Sequence, residues 1–232
     1  MYKVLHVTND FLTISKGPGV EFHKGTAPVG LVEKIRQDLN LSDLFPVHRL
    51  DTMTSGIILF AKNRTAAQEI SSLFRERKLE KYYLALAPGA PKKKQGTIAG
   101  DMARGRNGGW ILSRSMNRPA VTQFFSAGLG NGLRLYILKP YTGRTHQLRV
   151  MMKSLSVPIL GDPGYYSDSK KSVTVFDRGY LHAYAVRFTF RGHFYSLSDF
   201  PNNGQHFQSE PFLSVAERFL EPWKLEWPKI KS

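Results

Sequence analysis

Strand-like apolar runs outnumber helical stretches along this 232-residue chain, and the two kinds do not alternate. A doubly wound parallel sheet needs a helix between successive strands, so that fold is excluded. The pattern predicts an α+β fold with a mixed, mostly antiparallel central sheet flanked by helices. The runs are Lys3–Val7, Leu12–Ser15, Gly56–Ala61, Tyr82–Ala87, Val121–Ser126, Leu133–Lys139, Tyr180–Phe190 and Phe194–Leu197. Val, Ile, Tyr and Phe fill them, and turn residues bound most of them. Leu133, Leu135 and Ile137 alternate with Arg134, Tyr136 and Leu138, the pattern of a mostly buried strand. Helical spacing marks Pro28–Leu39, with Leu31, Val32, Ile35 and Leu39 on one face. It marks Thr65–Arg77, where Asn63 or Thr65 caps the start, and Thr145–Leu155. A fourth helix, Pro211–Leu220, follows Ser209 as a candidate N-cap.

Charge points to a partner. Lys and Arg number 33 against 18 Asp and Glu, a formal balance of +15. A folded domain this basic matches a polyanion, because each phosphate it contacts releases condensed counterions. Nucleic acid is the expected partner class. At 41% hydrophobic residues, the chain can bury a core and is not held open by its own charge. It has no cysteine, which excludes disulfide scaffolds, zinc ribbons, iron–sulfur centres and thiol nucleophiles. The histidines show no metal-ligand cluster. No apolar run approaches the roughly 18 residues of a membrane helix. Met1–His6 lacks the charged and apolar regions of a signal peptide. A cytoplasmic monomer without membrane attachment is the default.

Three elements and one arm carry the chemistry. The first is Pro46–Gly56, a polar loop holding His48, Arg49 and Asp51 that feeds the apolar run Ile57–Ala61. A carboxylate at the mouth of a buried strand is held rigidly, as a group acting at a glycosidic carbon must be. Taken alone, Asp51 also reads as an ordinary turn residue. The second is Pro140–Val150, where Gly143 opens a helix whose start carries Arg144, Thr145, His146 and Gln147. Helix N-termini favour anions, and Arg144 and His146 suit a phosphate or ribose. Arg149 falls near the buried face of this helix and needs a carboxylate, for which Asp51 is the candidate. The third is Lys81–Gly89, where Tyr82 and Tyr83 face opposite sides of a strand. One is core and the other can stack on a ligand; spacing leaves the choice open. The arm, Pro91–Pro119, holds Lys92, Lys93, Lys94, Arg104, Arg106, Arg114 and Arg118 among glycines around Trp110. It reads as a long basic hairpin or loop, either solvated or lying along a phosphate backbone.

Together these elements make the chain resemble the RluA-type pseudouridine synthases. That family's signatures stand here as His48–Asp51 with Ser55-Gly56, as Lys81–Ala85 and as Gly143–Val150. Asn9–Lys16, Arg118–Thr122, Pro158–Asp162 with Tyr165, and Leu181–Ala183 agree as minor features, so the likeness spans roughly residues 1–200. Two positions depart: Met151 stands where the family usually has His, and Lys16-Gly17-Pro18-Gly19 replaces Lys-Pro-x-Gly. The resemblance implies a single pseudouridine synthase catalytic domain with an active-site cleft, without an S4 domain, acting on tRNA or rRNA and requiring no metal and no cofactor. It implies that Asp51 is the catalytic carboxylate and that Arg49 fills the stack vacated by the flipped base. It assigns Tyr83 to stack on the uracil and Arg149 to pair with the catalytic carboxylate. His48, Arg144, His146, Gln147 and Lys92–Lys94 are the expected further RNA contacts. The alternative is an RNA-binding module without catalysis, which would gain nothing from a carboxylate in a basic site.

Overall fold

A computed structural model describes residues 1–22, 29–105, 109–166 and 176–230. Pro28 and Arg106, named above, lie outside these residues. In chain order the strands are β1 (Tyr2–Val7), β2 (Phe11–Lys16), β3 (Phe45–Pro46), β4 (Ser55–Ala61), β5 (Glu80–Pro88) and β6 (Gln95–Gly100). They continue as β7 (Met102–Arg104), β8 (Trp110–Leu112), β9 (Ala120–Gly130), β10 (Leu133–Pro140), β11 (Leu181–Phe190) and β12 (His193–Ser198). The α-helices are α1 (Leu31–Asp38), α2 (Arg64–Arg75), α3 (Gln147–Ser154) and α4 (Glu210–Ala216). The fold is α+β, and every strand-like run of the sequence lies within or overlaps a strand. Two compact units form: Met1–Glu80 with His182–Pro201, and Lys81–Leu181 with Asn202–Ser232.

In the first unit β2 runs antiparallel between β1 and β4. Strand β4 also takes β11 as a parallel neighbour, through His182 opposite Ser55 and Ala183 opposite Gly56. Antiparallel β12 follows β11. Strand β4 is buried along its whole length, which its uninterrupted apolar run requires. Phe11, Ile57, Leu59, Ile70, Val186 and Phe188 form the core beside it. Helix α2 adds Ala66 and Ile70, and Asn63 caps it by accepting from the Ala66 amide at 2.8 Å.

In the second unit β5, β10, β9 and β6 follow one another as antiparallel neighbours. Within Pro91–Pro119, expected as a basic hairpin or loop, Gln95–Gly100 is strand β6 paired to β9, and β7–β8 pair as a separate hairpin. Glycine and lysine there masked a strand because pairing with β9 supplies what side-chain burial does not. The tail after α4 also packs: Trp227 lies 5.0 Å from Phe125 and 5.9 Å from Tyr82, ring centre to ring centre. Helix α4 stops at Ala216 and runs on as a 3-10 turn over Glu217–Phe219. Ser209 sits at its N-cap position, but its hydroxyl donates to the His206 carbonyl instead.

Candidate active site

Within the first unit, Asp51 reaches the mouth of β4 on a loop anchored by apolar residues. Leu50 and Met53 are buried, while Arg49 and Thr52 are exposed and Asp51 is half-buried. The Thr54 amide donates to the Asp51 carbonyl at 3.0 Å and closes a turn. Beneath it lies the fully buried Lys16. Its ammonium donates to the carbonyls of Gly17 at 2.9 Å, Val20 at 3.0 Å and Thr52 at 3.1 Å. Three donors meeting three carbonyls satisfy an ammonium that cannot reach water. The Gly19 amide adds a bond to the same Thr52 carbonyl at 2.9 Å. The backbone next to Asp51 is thus pinned from below.

The far end of the turn is fixed by close packing. Gly56 has φ +103°, and a Cβ there would lie 2.3 Å from the Ala183 carbonyl oxygen, so only glycine lets β4 pair with β11. Ser55 Oγ sits 2.7 Å from His182 Nδ1, and His182 Nε2 sits 2.7 Å from the Asp199 carbonyl. Ser, His and Asp are therefore in a row, but Ser55 is only 3% exposed. A substrate cannot reach it, and the row ties strands together. His48, expected to meet RNA, is half-buried: the Leu59 amide donates to its Nε2 at 2.9 Å, and its ring packs 4.6 Å from Phe74. That nitrogen holds the loop onto β4.

In the second unit burial separates the two tyrosines that spacing alone leaves ambiguous. Tyr82 is fully buried and Tyr83 partly exposed. Lys81, two residues before Tyr83, shares its strand face. Burial pushes the Lys81 ammonium down to about 8. A Cβ on Gly143 would lie 3.9 Å from Lys81 Nζ, so this cation stands beside the glycine of the third motif. Motif matching placed Lys81 in the signature, but its burial is a property of the folded sheet alone.

At the start of α3 the residues divide by role. Arg144 is exposed, and the Arg144 amide donates to Gln147 Oε1 at 3.0 Å. The same oxygen accepts from the Thr142 hydroxyl at 2.7 Å, and Gln147 Nε2 donates to Thr122 Oγ1 at 2.9 Å and the Val121 carbonyl at 3.2 Å. Gln147, expected as an RNA contact, is 4% exposed, and its amide makes these four bonds around the turn. His146 is half-buried with φ 57°, and its Nδ1 is 2.9 Å from the Tyr165 hydroxyl. Arg149 is buried, and its Nε and Nη2 each lie 2.7 Å from a carboxylate oxygen of Asp162. Sequence spacing offers Asp51 as its carboxylate, whereas the structure pairs it with Asp162. Asp162 ends the Pro158–Asp162 segment of the family resemblance, but no spacing rule links it to Arg149, thirteen residues earlier. Lys92, Lys93 and Lys94 are exposed in the bend before β6.

Among the described residues no group of His, Cys, Asp and Glu is placed to hold a metal ion, and no helix is long and apolar enough to cross a membrane. The arrangement is a rigid carboxylate turn in one unit, and in the other a cationic helix start with a half-exposed tyrosine.

Residues 10–154 match the model of the RNA pseudouridylate synthase family. An RNA pseudouridine synthase of Haemophilus influenzae is 45% identical over 88% of this chain and 89% of its own. The dual-specificity RNA pseudouridine synthase RluA of Pasteurella multocida is 32% identical over 80% of this chain and 85% of its own. Among solved structures, human RNA pseudouridylate synthase domain containing 1 superposes with a TM-score of 0.73 at 27% identity, covering 94% of this chain and 95% of that one.

Proposed function

The chain belongs to the RNA pseudouridylate synthase family and is an isomerase of uridine in RNA; from that premise we propose that Asp51 is its catalytic carboxylate and that its substrate is a tRNA or a ribosomal RNA. The supporting observation is the Asp51 turn, pinned by the buried Lys16 ammonium at the head of a fully buried strand. A group acting at a ribose carbon gains most from that kind of rigidity.

The reaction needs no oxidant and no cofactor. The uridine is flipped from its stack, which costs a few kcal/mol that the site must return. The C1′–N1 bond breaks, the uracil turns, and C5 bonds to C1′. The proton on C5 leaves and N1 gains one, so product and substrate are isomers. Asp51 acts at the sugar as an anion. Tyr83, half-exposed on β5, supplies a ring for the uracil. Arg49, exposed beside Asp51, takes the vacated place in the stack. Arg149, held by Asp162, is the cation that the family resemblance assigns to the catalytic carboxylate. Arg144, His146 and Lys92–Lys94 meet phosphate. The +15 balance supports RNA over a small substrate, and the same reading has the chain act as a cytoplasmic monomer.

Asp51→Asn tests the assignment. The amide is nearly isosteric, so the variant should melt at the wild-type temperature. Single-turnover formation of pseudouridine in unmodified tRNA and rRNA should fall by about a thousandfold or more. Wild-type-like turnover would remove Asp51 from the mechanism.

A further inference from the structure

Three pieces of the second unit meet at one hydroxyl. Tyr165 Oη accepts from the Trp110 backbone amide at 3.0 Å. It also lies 2.9 Å from His146 Nδ1. A phenol can accept from one neighbour and donate to another, so both contacts are made at once. The Arg149 guanidinium carbon stands 4.9 Å from the centre of the same ring, and Lys153 Nζ 5.5 Å. Four residues of chain, Asp162 to Tyr165, therefore carry both the carboxylate that clamps Arg149 and the hydroxyl that ties the hairpin to α3. Asp162 Oδ1 also accepts from the amides of Gly164 at 2.8 Å and Tyr165 at 3.1 Å, which stiffens that turn.

Each end of this strut bears a feature that packing alone does not explain. His146 holds φ 57°, a left-handed conformation that is strained for a non-glycine residue and persists only where its surroundings enforce it. On the hairpin, the exposed Arg104 stacks over the Trp110 ring at 4.4 Å, and Ile111 beside it is 52% exposed. An aromatic and guanidinium pair at the surface of a basic protein is a stacking platform for bases.

We propose that Tyr165 is a positioning residue that couples the β7–β8 hairpin to the start of α3, so that RNA engaging Arg104 and Trp110 sets the orientation of His146. The inference rests on the reading above that these elements face RNA. Trp110 bonds Tyr165 through its amide, at the first residue of β8. A hairpin displaced by RNA pivots there, and the hydroxyl passes the displacement to the imidazole.

A double-mutant cycle tests it. The hairpin change is Arg104→Ala with Trp110→Ala, which keeps the amide bond to Tyr165; the helix change is His146→Ala. Single-turnover kcat/KM is read on total RNA extracted from cells lacking the gene, with pseudouridine counted by mass spectrometry. With Tyr165 in place, the two changes should depart from additivity by about tenfold. In the Tyr165→Phe background, which keeps the ring over Arg149, the departure should shrink to within about twofold. If each change alone slows the enzyme but the effects multiply simply in wild type, the coupling does not exist. If the departure survives Tyr165→Phe, it runs by another route and the proposal falls. If neither change alone matters, the reading of these residues as RNA contacts fails, and with it the premise. A second measurement needs no change at Tyr165: in the free protein, His146→Ala should speed hydrogen exchange of the Trp110 amide severalfold. An unchanged exchange rate would overturn the coupling even if Tyr165→Phe did not fold.

Discussion

In the first unit the Asp51 turn hangs from one buried ammonium, whereas in the second the start of α3 is held by a neutral amide, a hydroxyl and a bidentate ion pair. Lys16 concentrates its work in three bonds to backbone carbonyls. Gln147 spreads four bonds over three strand and turn residues and the Arg144 amide. Asp162 takes two bonds from Arg149 and two from backbone. Bond counts are nearly equal, so they cannot rank the three residues. What distinguishes them is whether removing one partner strands a charge without water, which costs far more than stranding a dipole.

The sharpest test of that ranking is Asp162→Asn. It leaves the buried Arg149 guanidinium without its carboxylate, and breaking such a pair should cost about 3–5 kcal/mol. Urea unfolding would measure it; a loss below 1 kcal/mol would show that another group neutralises Arg149. Lys16→Met should come next. It removes the charge itself and orphans carbonyls rather than an ion, at about 1–3 kcal/mol for the unsatisfied acceptors. Its larger effect should be on rate, because the Asp51 turn loses its support. A variant destabilised to that degree but fully active would separate the turn from catalysis. Gln147→Ala strands only neutral groups and should cost about 1–2 kcal/mol. A loss larger than that of Lys16→Met would overturn the claim that charge, not bond number, sets the scale.

The remaining test is one of sign and concerns Lys81. Burial lowers Lys81 from 10.5 to about 8. Below pH 8 both folded and unfolded chains carry the proton, and the fold bears the full burial cost. Between about 8 and 10.5 the unfolded chain binds more protons than the folded one, so stability rises with pH. Lys81→Met should be more stable than wild type below pH 8 and should flatten that rise. Paired unfolding curves at pH 7 and pH 9.5 check the sign. Equal slopes in the two proteins would mean that Lys81 is better solvated than its position beside Gly143 implies.

Much of this molecule is set by local sequence. Alternation placed β10, a continuous apolar run placed β4, and a helical stripe with Asn63 before it placed α2, because such patterns report burial one residue at a time. The refusal of strands and helices to alternate set the α+β class. The motifs around Asp51, Tyr83 and Arg149 set the family, since their residue types and spacing survive without coordinates. Tertiary structure decided what depends on a partner distant in the chain. It chose Tyr82 for the core and Tyr83 for the surface, gave Arg149 its Asp162, and turned Gln147 and one nitrogen of His48 inward to hold backbone. It made a strand of Gln95–Gly100 because β9 offered it hydrogen bonds that its own side chains do not announce. Sequence periodicity records which side of an element is wet. A hydrogen bond between residues far apart in the chain leaves no period, so which polar groups satisfy one another is settled only when the chain has closed around them.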